Sequence, residues 1–134
     1  MRATLVPLML ALPLLFMAGT KPAVYGERSD GQAIDIQVGD TFEVALPENP
    51  TTGFGWEVTE GLGDVIEQDG VPRYAPDRSN PHMTGGGGII AFHFKAVAAG
   101  TAELKLAYHR KWETETPPAK TFHMTVKVSP ESGD

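Results

Sequence analysis

No cysteine occurs among the 134 residues. The chain therefore has no disulfide framework, no thiolate metal site and no cysteine nucleophile, and any stability in an oxidising compartment must come from packing. Positive charge is also scarce: 11 Lys and Arg stand against 17 acidic residues, giving a formal charge of -6. That balance argues against a surface that tracks phosphates, and hence against nucleic acid as a partner. Helical periodicity is missing as well, since no apolar pattern of period 3.6 lasts ten residues beyond the first twenty. The length accommodates one domain. With 15 Gly and 11 Pro the chain is rich in turns, yet at about a fifth of all residues it stays below the level that signals disorder. Its 41% hydrophobic content is enough to build a core.

Residues 1–19 read as a separate unit. Arg2 precedes an uncharged stretch dominated by Leu5, Leu8, Leu10, Leu12, Leu14, Leu15 and Phe16, which ends at the small residues Ala18 and Gly19. A positive start, an apolar centre and a small-residue exit are the layout of a secretory signal peptide. A retained membrane anchor is the competing reading, because about 18 uncharged residues approach a bilayer-spanning length. Pro7 and Pro13 work against a straight anchor helix. A lipid anchor would need a Cys at the cleavage point. Cleavage near Gly19 would leave an exported acidic domain of charge about -7, free of the membrane and either periplasmic or secreted. Residues 20–32 then read as a flexible N-terminal segment, 33–129 as the folded domain and 130–134 as a C-terminal tail.

From Ala33 onward the pattern has period two. Ile34, Ile36 and Val38 form one stripe, and Phe42, Val44 and Leu46 form the next after a turn at Gly39-Asp40. Phe54, Trp56 and Val58 make a third, and Val65-Ile66 a short fourth. Three further stripes follow at Ile90, Phe92 and Phe94, at Ala102, Leu104, Leu106 and Tyr108, and at Phe122, Met124, Val126 and Val128. The stretch 71–84, with three Pro, predicts an irregular crossing with at most a short edge strand. Short strands divided by turns with no helices between them imply an all-β protein, an immunoglobulin-like antiparallel β-sandwich of about seven strands. A closed barrel is the alternative.

Three loops have unusual composition. Asn49-Pro50-Thr51-Thr52-Gly53-Phe54 leads into Trp56; Pro50 fixes its own φ and biases Asn49 toward extended backbone, and Gly53 is free to take positive φ. The loop should present Thr51 and Thr52 from a rigid base, although an ordinary interstrand turn would read the same way. Gly85, Gly86, Gly87 and Gly88 form the second. A phosphate loop is poorly supported there, because no Gly-Lys-Ser/Thr follows and a strand begins next. A flexible hairpin and a contact loop remain open. The third contains Arg110 and Trp112, residue types enriched at interface hot spots; the ring could equally fold back on the sheet edge.

These loops carry a resemblance. The run from Asn49 to Phe54 followed by a Trp, the Gly loop at Gly85, Gly87 and Gly88, and the Arg-x-Trp of Arg110 and Trp112 resemble the chagasin family of cysteine protease inhibitors, over about Ile34 to Val128. Lys111 stands where the family pattern has Pro. The resemblance implies a sandwich whose three loops form a wedge for the cleft of a papain-like cysteine protease, endogenous or foreign. Residues 49–54, Gly85 to Gly88, Arg110 and Trp112 would make the contacts. Thr51 and Thr52 would approach the catalytic Cys and His uncleaved, the Gly loop would line one cleft wall with its backbone, and Arg110 with Trp112 would brace the other. Trp56, on the inward stripe, would support the loop from the core. The inhibition would be reversible and tight, by a monomer without cofactor or metal.

Enzymatic readings find little support. His82, His93, His109 and His123 are scattered without metal-ligand spacing, and His93 and His123 alternate with Phe92 and Phe122, which places them on the solvent face. Glu113 and Glu115 belong to a solvated loop rather than a glycosidase pair. A second reading from a different class is an exported sandwich module that binds polysaccharide or a surface protein, with Trp112 stacked on a sugar.

Overall fold

The computed structural model describes residues 22–77 and 87–131. The expected leader 1–19, His82, Gly85 and Gly86 lie outside the described residues. Alternating apolar and polar residues give an extended chain one buried face, and every long stripe of the sequence becomes such a strand. In chain order the strands are β1 (Ala23–Tyr25), β2 (Ala33–Gln37), β3 (Thr41–Glu48), β4 (Gly55–Glu60), β5 (Ile66–Gln68), β6 (Arg73–Pro76), β7 (Gly88–Ala96), β8 (Gly100–His109) and β9 (Lys120–Ser129). One sheet has the order β1-β3-β7-β5, with β6 also paired to β7, and the other has the order β2-β9-β8-β4.

Between the sheets lies one core. Phe42, Val44 and Leu46 of β3 and Ile90, Phe92 and Phe94 of β7 face Leu104 and Leu106 of β8 and Phe122, Met124 and Val126 of β9. Phe42 stacks on Phe94 with ring centroids 5.2 Å apart. Full burial of such side chains stabilises the fold by about 1.5–3 kcal/mol each, so the sandwich holds without cross-links.

The structure departs from the sequence expectation in three places. Among the described residues nine strands form where about seven were expected: β6 is the short edge strand that the Pro-rich stretch 71–84 allowed, and β1 lies unexpectedly within segment 20–32. That segment is not a loose leader to the domain. Ala23 pairs with Phe42 and Tyr25 with Val44, the Tyr25 ring meets Phe42 edge-on at 6.3 Å, and Asp30 accepts the backbone N–H of His123 at 2.8 Å. Its order comes from backbone pairing, which leaves no apolar stripe to read. Nor is the sandwich wholly antiparallel: β1 runs parallel to β3, and β2 parallel to β9. Parallel partners cannot be joined by a tight hairpin, and here the chain visits the opposite sheet between β1 and β3.

Strand register sets where the loops go. Glu48 at the end of β3 pairs with Gly88 at the start of β7, Gly55 at the start of β4 with His109 at the end of β8, and Tyr108 with Lys120. The connections 49–54, 77–87 and 110–119 therefore leave from the same end of the sandwich.

Candidate functional site

The loop 49–54 crosses from one sheet to the other, and its own residues hold its shape. Pro50 opens a 3-10 turn over Pro50–Thr52, the position where its fixed φ and missing N–H cost least. Asn49 caps the turn: its Oδ1 accepts the Thr51 backbone N–H at 3.1 Å and the Thr51 hydroxyl at 2.6 Å. The Thr52 hydroxyl donates to the Asn49 carbonyl at 2.7 Å and accepts the Phe54 N–H at 3.3 Å. Gly53 closes the turn at φ +82°, with its N–H on the Pro50 carbonyl at 3.1 Å. Thr51 and Thr52 remain exposed at the tip.

Below the tip, three hydrogen bonds tie the two sheets together. The Glu48 carboxylate accepts the Trp56 backbone N–H at 2.8 Å, the Trp56 indole N–H donates to the Pro47 carbonyl at 2.8 Å, and the Asn49 N–H donates to the Tyr108 hydroxyl at 3.3 Å. Trp56 is buried at 8% exposure, the supporting role its stripe implied. Tyr108 packs against both Phe54, at 5.4 Å, and Trp56, at 5.1 Å between centroids. The Lys120 ammonium lies 5.6 Å from the Tyr108 ring centre. Sequence reasoning did not select Glu48, Tyr108 or Lys120. Tyr108 offered a signal, since a hydroxyl at the end of an apolar stripe needs a partner; Glu48 offered none, because the N–H it satisfies lies eight residues away across a sheet boundary.

Arg110 and Trp112 come to the same place from the end of β8. The Glu113 N–H donates to the Arg110 carbonyl at 2.9 Å, closing a four-residue turn in which Lys111 occupies the second position. Pro is favoured at that position, so the turn is kept without it. An Arg110–Glu113 ion pair at 3.5 Å spans the same turn. From there Arg110 Nε donates to the Thr52 carbonyl at 3.1 Å, and its guanidinium lies 4.4 Å from the centre of the Phe54 ring. A cation over an aromatic face contributes about 0.5–1 kcal/mol at an exposed site. Trp112 stays 69% exposed, and its ring edge packs on Gly53, where a Cβ would stand 2.6 Å from Cη2.

The described half of the Gly run packs closely. A Cβ on Gly88 would lie 2.2 Å from the Ala75 carbonyl oxygen, and one on Gly87 would lie 3.0 Å from that of Glu48. Gly88 thus lets β6 approach β7, while Gly87 lies against the root of loop 49–54. The structure brings ten of the twelve selected residues to one end of the sandwich, the other two being Gly85 and Gly86.

Elsewhere on the strands each described histidine beyond the loops lies beside a glutamate of the neighbouring strand. His93 lies 3.4 Å from Glu43 and His109 2.8 Å from Glu57, while His123 pairs with Glu103. The hydrogen bond from His123, with a second from Thr125, holds the Glu103 carboxyl below the usual glutamate range. Among the described residues no group of three His, Asp or Glu could hold a metal ion. The arrangement can present a preformed convex edge to a cleft.

Residues 35–126 match the family described as Chagasin family peptidase inhibitor I42. Chagasin from Trypanosoma cruzi is 31% identical over 103 residues, spanning 75% of this chain and 92% of the relative. Amoebiasin-1 from Entamoeba histolytica is 35% identical over 105 residues, spanning 77% and 94%. The crystal structure of a cysteine protease inhibitor from Entamoeba histolytica shares the fold with a TM-score of 0.73 at 24% identity, over 80% of this chain and 95% of that one. With more than half its length matched to the family and a relative above 30% identity covered almost end to end, the chain belongs to the chagasin family of peptidase inhibitors and is an inhibitor, not an enzyme.

Proposed function

We propose that the chain inhibits papain-like cysteine proteases reversibly, by inserting the joined loops 49–54 and 110–113 and the Gly segment into the active-site cleft. The observation that carries this reading is the bond from Arg110 Nε to the Thr52 carbonyl, with the guanidinium over Phe54. It joins two loops into one edge before any partner arrives. Preformed edges lose little conformational freedom on binding, which leaves more of the contact energy as affinity. The tip presents side chains already engaged with their own loop, a surface that fills a cleft without offering a relaxed, extended peptide for attack. Arg110 and Trp112 brace one wall, and main-chain groups of the Gly segment lie along the other.

In this proposal the product is a monomer, exported after removal of residues 1–19, and it meets its protease in a periplasm or outside the cell. The leader-like composition of those residues supports export. Titrating papain-like activity with the purified mature domain should give stoichiometric inhibition. Replacing Thr51 with Arg and Thr52 with Glu should abolish it; both side chains are exposed, so the core stays folded, while loss of the hydroxyl bonds to Asn49 and Phe54 should lower the melting temperature by several degrees. No inhibition by the unsubstituted domain at micromolar concentration would end the proposal.

A further inference from the structure

The outward face of the larger sheet changes character along its strands. At the pole away from the loops its cross-strand rows are polar, with Thr41 beside Lys95 and Glu67, then Glu43 beside His93. Next comes Ala45 beside Ala91 and Arg73, and at the loop end Pro47 beside Ile89 and Ala75. A solvated sheet face normally keeps its polar half of the alternation throughout; apart from the exposed Val24 of the edge strand β1, beside Glu43, this face gives it up next to the loops. Ile89 is 44% exposed. It lines a depression of about 510 Å³ with Pro47, Ala75, Pro76 and the two glycines Gly87 and Gly88, where Asp77 is the one charged lining residue among those described.

From this gradient we infer that the Ile89 row is a second contact surface for the same protease, taking an apolar side chain from the rim of the cleft wall along which the Gly segment lies. The inference rests on the inhibitor reading above. Continuity decides the occupant: Gly87 and Gly88 belong to the proposed wedge and also line the depression, so a wall that covers them reaches Ile89 without a gap. Ile89, Pro47 and Pro76 lose little side-chain freedom on being covered, and neither proline has a backbone N–H that must stay in water. An apolar rim residue is the partner whose burial costs no unpaired polar group. The row would thus help to select among proteases that share a catalytic centre and differ at the rim.

Ile89→Thr keeps a β-branched residue suited to a strand while replacing a methyl-bearing arm with a hydroxyl. Against a panel of papain-family proteases that the unsubstituted domain inhibits, it should weaken inhibition of at least one member about tenfold, chiefly through faster dissociation. The thermal midpoint should not move. Val97→Thr, just past the opposite end of β7, should leave inhibition unchanged. The inference is overturned if Ile89→Thr inhibits every member as tightly as the parent. It is equally overturned if the substitution alters only self-association in sedimentation, which would make a second copy the occupant. Failure of the parent domain to inhibit any member would instead remove the inhibitor reading beneath it.

Discussion

Gly53→Ala should injure the protein in two separable ways. At φ +82° the residue is in the left-handed region, which costs a residue bearing a Cβ about 1–2 kcal/mol. The added methyl would also stand 2.6 Å from Cη2 and 3.2 Å from Cζ2 of Trp112, inside the roughly 3.5–4.0 Å at which carbons rest. Something must move. The Gly53 backbone is held by the capped turn and by the Arg110 bond to Thr52, whereas Trp112 is 69% exposed, so the indole gives way. Stability then falls by the backbone share, about 1 kcal/mol after the stiffer unfolded chain offsets part of the cost, lowering the melting temperature by roughly 4–8 °C. Displacing Trp112 from the wedge should cost about 2 kcal/mol of binding, close to 30-fold in the inhibition constant. Calorimetry and inhibition constants of Gly53→Ala, Trp112→Ala and the double variant separate the two effects. Once the indole is gone the methyl meets only Arg110 Nε, at an ordinary contact distance of 3.6 Å, so the double variant should inhibit about as well as Trp112→Ala alone. Inhibition by Gly53→Ala equal to that of the parent, or penalties that simply add, would refute the reasoning.

Two other positions give independent checks. Glu48→Ala leaves the Trp56 N–H without its acceptor and should cost about 1–3 kcal/mol of stability together with a faster-dissociating complex. Glu48→Gln, which keeps a side-chain oxygen in place, should recover most of both, and equal loss in the two variants would deny Glu48 its positioning role. Glu103, whose carboxyl is held low by His123 and Thr125, stabilises the fold above the ordinary glutamate pKa of about 4.3, and the contribution disappears as pH falls through its depressed value. The thermal midpoint of the parent should therefore exceed that of Glu103→Gln at pH 5 to 6 and converge on it as acid is added. Parallel melting curves across that range would rule the pair out as a stabilising contact.

How much of this was readable before the structure depended on the distance over which each feature is decided. The stripes of β3, β7, β8 and β9 are local, because side-chain alternation and burial coincide along a single strand, and they appear where the pattern put them. The two parallel pairings are not local: Ile34 meets Val126 across nearly the whole domain, and no residue near either one records it. β1 has three residues and contributes little to the core, so its sequence carries no stripe. The candidate site divides the same way. Asn49 to Phe54 is legible because cap, proline, hydroxyls and glycine each act within a few residues. The resemblance implied that the loops gather at one end, but the union of Arg110 with Thr52 and Phe54 was not legible, since it joins loops more than fifty residues apart in the chain. Glu48 looked like an ordinary solvated carboxylate until β4 was placed beside it.

The parallel pairing of β1 with β3 has a practical consequence for how the inhibitor can be displayed. Because β3 runs toward the loops, Ala23 lies beside Phe42 near the start of β3, and β9 likewise finishes with Ser129 beside Gln37. The described chain thus enters and leaves the sandwich at the pole opposite Thr51, Thr52 and Trp112. A fusion partner, affinity tag or surface tether joined at either side of the described chain would hang behind the domain, leaving the inhibitory edge pointing outward as the tip of an immobilised probe.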